Sequence, residues 1–302
     1  MTLRTILVTG ASGFVGRVLL PVLRQAFPQA DIRDAAVDIT DAAAVATTIA
    51  AARPDALVHL AAVAAPGDAR ADPARAWSVN LGGSLNFGRA ILDTVPECTM
   101  LFVSSSEAYG ASFRSNTPLD ERAVLAPLGT YGATKAAADL ALGAMAAEGL
   151  RVIRARPFNH TGPGQSDAYV VPAFAGQVAR IAAGLQDPVM QVGALHPLRD
   201  FLDVRDVCAA YAAILARADT LAPGTILNIA SGHMQRIGDI LQALLDTAGV
   251  TAEIRTEPAK LRPTDVAEVC GDASLAHRLL DWQPRIPWQQ TLEDVLAGCR
   301  TT

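Results

Sequence analysis

The stretch that most restricts the fold is Thr9-Gly10-Ala11-Ser12-Gly13-Phe14-Val15-Gly16, entered by the apolar run Ile6-Leu7-Val8 and left through the helical pattern Val18, Leu19, Leu20, Val22, Leu23. Strand, tight turn and helix follow in that order. Glycines there let the backbone bend sharply and come close to a pyrophosphate, while the N–H groups of a helix start offer hydrogen bonds and a favourable dipole. A glycine-rich turn by itself is often an ordinary loop. Here the spacing is G-x-x-G-x-x-G rather than G-x-G-x-x-G, and it opens the chain. Gly10, Ser12, Gly13, Phe14, Val15 and Gly16 are therefore candidates for holding a dinucleotide.

Beyond the turn, apolar runs alternate with alanine-rich stretches, the order required by a Rossmann-like, doubly wound parallel α/β sheet. Strands are predicted at 5–9, 56–60, 100–104, 151–156 and 225–229, and helices at 14–25, 41–51, 73–94, 131–148, 171–184, 204–218 and 237–248. The second strand is compressed, since between Gly16 and Asp38 only 30–33 is available. The Gly/Pro-rich Thr161-Gly162-Pro163-Gly164-Gln165 marks a boundary. It separates a dinucleotide-binding domain, 1–160 with returning segments near 200–232, from a smaller lobe, mainly 161–302, for substrate. The chain is expected to rejoin the sheet near Phe201 and Ile226.

Composition narrows the class. A chain of 302 residues with 51% hydrophobic content can bury a three-layer core. The apolar run 57–65 is too short to span a membrane and carries His59. Cys98, Cys208, Cys270 and Cys299 are scattered, pointing to reduced thiols, and the histidines show no ligand spacing, so no metal is expected. A net charge of -5 without a basic run argues against nucleic acid as a partner. A soluble cytoplasmic protein is the expectation.

The chemistry is carried further along. Tyr131-Gly132-Ala133-Thr134-Lys135 puts a phenol and an ammonium four residues apart in a helix-forming run. One turn stacks them on one face, where the lysine's charge is expected to favour the tyrosinate and ease movement of the phenolic proton. That is proton-transfer chemistry on an alcohol or ketone. Alone, such a pair is more often two amphipathic side chains on a solvated face. Leu101-Phe102-Val103-Ser104-Ser105-Ser106-Glu107 runs a strand into hydroxyls and a carboxylate, where ligands of parallel sheets bind. Alone, those serines simply end a strand.

In this order, the glycine turn, the strand-end serine and Tyr-x-x-x-Lys resemble the extended short-chain dehydrogenase/reductase superfamily, over essentially the whole chain. The resemblance implies that Ser105 polarises a substrate oxygen, Tyr131 is the acid/base, and Lys135 tunes the tyrosine and holds the nicotinamide ribose. Ser104 and Ser106 lie close enough for the serine assignment to slip by one. The segments Arg156-Pro157-Phe158-Asn159-His160-Thr161-Gly162, Leu198-Arg199-Asp200-Phe201, Leu261-Arg262-Pro263 and Trp282-Gln283-Pro284 are similar to the GDP-4-dehydro-6-deoxy-D-mannose reductases, which form GDP-D-rhamnose. By that likeness Asp38 and Ile39 cradle the adenine, and His59, Leu60, Ala61 and Ala62 line the cofactor diphosphate. Val103, Pro157 and His160 meet the nicotinamide end. Ser105, Ser106, Glu107, Asn159, Val170, Arg180, Arg199 and Arg262 face a GDP-linked deoxysugar.

Asn80 resembles the family's helix asparagine that holds a water or backbone near the site. Arginine's planar fork suits a diphosphate on physical grounds alone. Arg199 and Arg262 are expected in irregular, proline-flanked segments facing a cleft, although without the family likeness each reads sooner as a surface salt bridge, and Arg180, inside a helix, more so. Trp282 and Trp288 read as packing anchors.

These readings imply NAD(P)H-dependent reduction of the C4 keto group of a GDP-4-keto-6-deoxy-hexose. A 4,6-dehydratase or 4-epimerase shares the Ser/Tyr/Lys set, and Glu107 keeps the dehydratase open, because related dehydratases place a carboxylate there to take a C5 proton. A noncatalytic dinucleotide-binding protein is a third reading. NADP(H) is the expected cofactor and NAD(H) the alternative: Arg17 and Arg33 can meet a 2′-phosphate, while Asp31 and Asp34 oppose it. Helices rich in small residues around 78–92 and 131–145 imply a homodimer, since members of the family pair them across a two-fold axis.

Overall fold

The structure is a computed structural model that describes residues 3–258 and 266–300. Its centre is a six-stranded parallel sheet of β1 (Thr5–Thr9), β2 (Asp31–Asp34), β3 (Ala56–His59), β4 (Thr99–Val103), β5 (Val152–Pro157) and β9 (Ile226–Ile229), in the order β2-β1-β3-β4-β5-β9. Successive residues of each inner strand enter different cores. Ile6, Val8, Val58, Leu101 and Ile153 pack into one hydrophobic cluster, whereas Leu7, Leu57, Met100, Phe102 and Val152 pack into another. A strand buried on both faces needs this continuous apolar run, which is why these strands are legible.

One face is covered by α1 (Phe14–Ala26) and α8 (Val204–Ala216), the other by α2 (Ala42–Ala52), α5 (Ser84–Thr94) and α6 (Thr130–Ala147). The sheet order reverses between β1 and β3, so the ligand crevice of such folds opens beyond Thr9 and His59. The predicted helix 73–94 is three pieces: α4 (Pro73–Trp77), a π-helical segment Ser78–Gly83, and α5. A short α3 (Pro66–Ala71) precedes them.

After β5, strands β6 (Asn159–Thr161), β8 (Leu198–Asp203), β10 (Met234–Arg236) and β12 (Glu268–Val269) form a second sheet centred on β8. Ile226 opens β9 in the main sheet as expected, whereas Phe201 lies in β8 and so belongs to this second sheet. Buried Asp200 ties its turns together, accepting from the backbone N–H groups of Ser231, Gly232 and Gly271. A third core joins α7 (Val170–Ala182), α9 (Ile237–Ala248) and α11 (Trp288–Arg300) beside the parallel pair β7 (Val189–Val192) and β11 (Glu253–Thr256). Between β12 and α11 lies α10 (Ser274–Leu280), packed towards β9 and α8. Trp282 is buried and donates to the Asp206 carbonyl, and Trp288 stacks on Phe201, so both are packing anchors. Among the described residues no helix is long and apolar enough to cross a membrane, and no His/Cys/Asp/Glu group is arranged to hold a metal.

Candidate active site

The glycine turn is closed by contacts that only glycine permits. Gly10 has φ +66°, and a Cβ there would stand 2.9 Å from the Ala61 nitrogen. At Gly16 a Cβ would fall 2.5 Å from the carbonyl oxygens of Gly10 and Ala11, so α1 sits directly on the turn. No side chain caps α1, whose first N–H groups at Phe14 and Val15 face the turn beside Ser12 and Gly13. This is the close, donor-lined cradle that a pyrophosphate needs. Arg17 lies across it, donating to the Ser12 carbonyl at 2.9 Å and to the Gly164 carbonyl at 3.1 Å. It thereby joins the turn to the boundary loop. Phe14 stacks on His160 with centroids 6.4 Å apart.

At the end of β3, His59 is buried between two hydroxyls, Thr9 Oγ1 at 2.9 Å from Nδ1 and Ser84 Oγ at 3.1 Å from Nε2. The neighbours fix its tautomer. Thr9 Oγ1 already accepts from Ala61 N–H, leaving its hydrogen for Nδ1, while Ser84 donates to the Asn80 carbonyl and so receives Nε2–H. Burial, and then the charge of Lys135, push this imidazole down to about 3, so it stays neutral. Asn80 accepts from Val63 N–H at 2.8 Å and donates to the Val63 carbonyl and to Thr134 Oγ1. The loop carrying Leu60, Ala61 and Ala62 is thus clamped from β1 and from the π-helical segment. Beyond β2, Asp38 accepts from Thr40, which lowers its pKa, and Ile39 packs on Gly83. Arg33 is exposed and paired with Asp31.

Ser105, Tyr131 and Lys135 converge at the end of β4. The Ser105 hydroxyl lies beside the Tyr131 phenol, close enough to favour its ionised form, whereas Ser104 lies towards Asp139 and buried Ser106 starts a 3-10 turn. Gly132 allows the approach: a Cβ there would lie 2.5 Å from the Glu107 carbonyl. Glu107 is exposed on the same turn, near enough for its charge to raise the Tyr131 pKa. Desolvation by burial is the larger cause and holds the phenol well above its ordinary value. Lys135 Nζ donates to the Val103 carbonyl and lies over the Phe102 ring, and burial brings the amine down to about 8.

Around this centre Pro157 ends β5, Asn159 and His160 lie in β6, and His160 Nδ1 lies 2.9 Å from the Phe158 carbonyl. Tyr169, just before Val170 at the start of α7, is near enough to influence Tyr131. Arg180 lies a little over two turns along α7 from Val171, on a cavity of about 600 Å³ that Gln177, Gln191, Arg255 and Glu257 also line. Arg199 is in strand β8 and not in an irregular segment, its Nη1 donating to the carbonyls of Leu198 and Ala267. Arg262 lies outside the described residues.

The family profile described as GDP-mannose 4,6 dehydratase matches residues 20–295. The chain belongs to that family, within the extended short-chain dehydrogenase/reductase superfamily. It is 38% identical over 245 residues, 81% of this chain and 80% of the relative, to the GDP-6-deoxy-D-mannose reductase of Pseudomonas aeruginosa. It is 28% identical to the GDP-6-deoxy-D-talose 4-dehydrogenase of Aggregatibacter actinomycetemcomitans, over 89% of this chain and 88% of that one. Its fold superposes with a TM-score of 0.90, at 33% identity and 99% coverage of both chains, on the structure of RMD from Pseudomonas aeruginosa complexed with NADPH.

Within this family member, sequence reasoning missed Thr9, Ser84 and Thr134, whose hydroxyls complete the clamp on the loop after β3. The usable signal was a hydroxyl at a strand end facing a histidine at the neighbouring strand end. Gly132 was hidden inside the Tyr-x-x-x-Lys spacing, where its lack of a side chain matters as much as its neighbours' chemistry.

Proposed function

We propose that the chain is an NAD(P)H-dependent reductase that converts the C4 keto group of GDP-4-dehydro-6-deoxy-D-mannose into the alcohol of GDP-D-rhamnose. The carrying observation is that Gly132 lets the start of α6 sit against the Glu107 carbonyl, which brings Tyr131 beside Ser105 at the end of β4, in a chain 38% identical to a GDP-6-deoxy-D-mannose reductase. The closed glycine cradle fits a dinucleotide. NADPH, with NADH as the alternative, supplies the hydride when bound. Gly10, Ser12, Gly13, Phe14, Val15 and Gly16 would hold its diphosphate against Leu60, Ala61 and Ala62, with Arg33, Asp38 and Ile39 at the adenosine and Val103, Pro157 and His160 at the nicotinamide.

Tyr131 delivers a proton to the developing alkoxide, and Ser105 hydrogen-bonds the same oxygen. The raised pKa of Tyr131 keeps it protonated at neutral pH, the state an acid must start from. Lys135, at the Val103 carbonyl, would meet the ribose. Ser106, Asn159, Val170, Arg180, Arg199 and Arg262 would face the nucleotide sugar from the lobe of residues 161–302. A cytoplasmic homodimer completes the reading, with α5 and α6 pairing across a two-fold axis; Leu140, 59% exposed on α6, suits such a face. A monomeric mass by light scattering would count against that pairing.

Glu107 favours one second reading, a 4,6-dehydratase, because it places a carboxylate on the turn that carries Ser105. The test is incubation of the protein with GDP-4-keto-6-deoxymannose and NADPH. Stoichiometric cofactor oxidation with a 6-deoxymannose product by NMR is expected, and Glu107→Gln should retain it. In deuterated water, C5 exchange in the parent but not in Glu107→Gln, without net reduction, would install the dehydratase instead.

A further inference from the structure

Lys135 is one of only two lysines in a chain with 25 basic residues, the other being Lys260. Arginine does not titrate in any accessible pH range, so a lysine at a buried position marks a place where the charge can be adjusted. One helical turn beyond it, Asp139 is fully buried and held in a fixed fork. Asp139 Oδ1 accepts from Arg154 Nη1 at 3.0 Å and Arg156 Nη2 at 2.8 Å, and Oδ2 from Arg156 Nε at 2.9 Å.

Both guanidiniums are themselves fixed. Arg154 also donates to the carbonyls of Asp139 and Gly224 and occupies space left by Gly143, where a Cβ would come 2.4 Å from its Nη1. Arg156 donates to Tyr109 Oη at 3.0 Å and to the Glu121 carbonyl, and Tyr109 in turn donates to Asn228. The carboxylate therefore cannot swing away, and it is the nearest negative charge on the face of α6 that carries Lys135.

We propose that Asp139 is a positioning residue for the reaction, the counter-charge that keeps Lys135 protonated at the end of β4 against the two guanidiniums behind it. The proposal rests on the reductase reading for its consequence in turnover. The groups facing Lys135 are few. Val103 offers a carbonyl and Phe102 a ring from β4, His59 a neutral imidazole from β3, and α6 itself Tyr131 and Asp139. Arg154 and Arg156 from β5 reach it only across Asp139, with Tyr109 and Glu121 beyond them.

Burial already brings Lys135 down to about 8, with Asp139 opposing that shift. Removing the carboxylate leaves buried Arg156 and part-buried Arg154 uncompensated behind the amine, so its proton must be lost at still lower pH. Both working and neutral forms then fall within the range of ordinary assays.

The small number of lysines makes the test direct. Protein labelled with 13Cε-lysine gives two side-chain signals, assigned with Lys260→Arg, and the Lys135 signal is titrated with pH. In Asp139→Asn its midpoint is expected to fall by at least about one pH unit, the size expected for loss of a close opposite charge, and the alkaline limb of kcat/KM should fall with it. Asp139→Glu should keep both near the parent. Should Asp139→Asn lose cooperative unfolding, Arg154→Gln serves instead and should move the midpoint upward. An unchanged Lys135 midpoint in a folded Asp139→Asn or Arg154→Gln protein overturns the proposal and leaves Asp139 a structural ion-pair residue. A midpoint that moves while the kcat/KM profile stays still would uphold the coupling and overturn the assigned role of Lys135 in turnover.

Discussion

The main sheet meets the site through buried groups that satisfy one another: Thr9, His59, Ser84, Asn80 and Thr134 form one hydrogen-bonded chain under the cofactor loop, and Ser105 meets Tyr131 above it. The wall built from α7, β7 and β8 is made differently. Arg180 shares a cavity with Gln177, Gln191 and Glu257, and Arg199 rests part-exposed on backbone carbonyls. The first wall is arranged before any ligand arrives, at the level of single hydrogen atoms. The second carries charge in partial contact with solvent, where each interaction is screened. Chemistry should therefore be sensitive to atom-scale changes on the sheet side, and affinity to charge changes on the lobe side.

The largest effect that would break this division is at Tyr131. Tyr131→Phe removes one oxygen and its proton while keeping the ring in place. We expect kcat to fall by a factor on the order of 10²–10⁴, the usual worth of a positioned acid, with NADPH binding and thermal unfolding close to the parent. Turnover within tenfold of the parent would mean that another group delivers the proton.

How much of each wall could be read beforehand follows the same division. The glycine turn, the end of β4 and Tyr131 to Lys135 are local patterns: a buried parallel strand announces itself by its apolar run, and the turn by its glycines. Ser105 and Lys135 therefore came out of the chain in sequence order. What Lys135 touches did not, because helical spacing fixes the face but not the acceptor; the Val103 carbonyl, 32 residues away, takes its Nζ. On the lobe side β6, β7, β8, β10 and β12 are two to six residues long, and their pairing is set by contacts distant in sequence, such as Asp200 with Gly271. Arg199 looked irregular because Pro197 and His196 precede it, yet β8 is the centre of its sheet. β2 was hard to see for a different reason: as an edge strand with the sequence Asp-Ile-Arg-Asp it carries almost no apolar signal.

On the lobe side the expected loss is in binding. If Arg199 contacts the substrate diphosphate, Arg199→Ala should cost about 2 kcal/mol, the order of a charge-assisted hydrogen bond whose partner is left behind. KM for the nucleotide sugar should then rise on the order of thirtyfold, while KM for NADPH and kcat change little. An equal change in both KM values would place Arg199 in the scaffold of β8, where its bonds to Leu198 and Ala267 already lie.

The smallest effect lies at the exposed rim of the sheet side, and it sharpens the comparison by showing that exposure, more than membership of a wall, limits what a charge can do. Arg33 is about half exposed and already paired with Asp31, itself 55% exposed. A 2′-phosphate at this place must compete with that carboxylate for the guanidinium, and Asp34 beside it adds repulsion. Exposed pairs of this kind are worth roughly 0.2–1 kcal/mol, so Arg33→Ala should lower the ratio of kcat/KM for NADPH over NADH by only about 1.4- to fivefold. The NADH value itself should stay constant, and the effect should shrink further as salt is raised. A preference for NADH in the parent, or a ratio unchanged in Arg33→Ala, would remove Arg33 from cofactor selection and leave it as half of a surface ion pair.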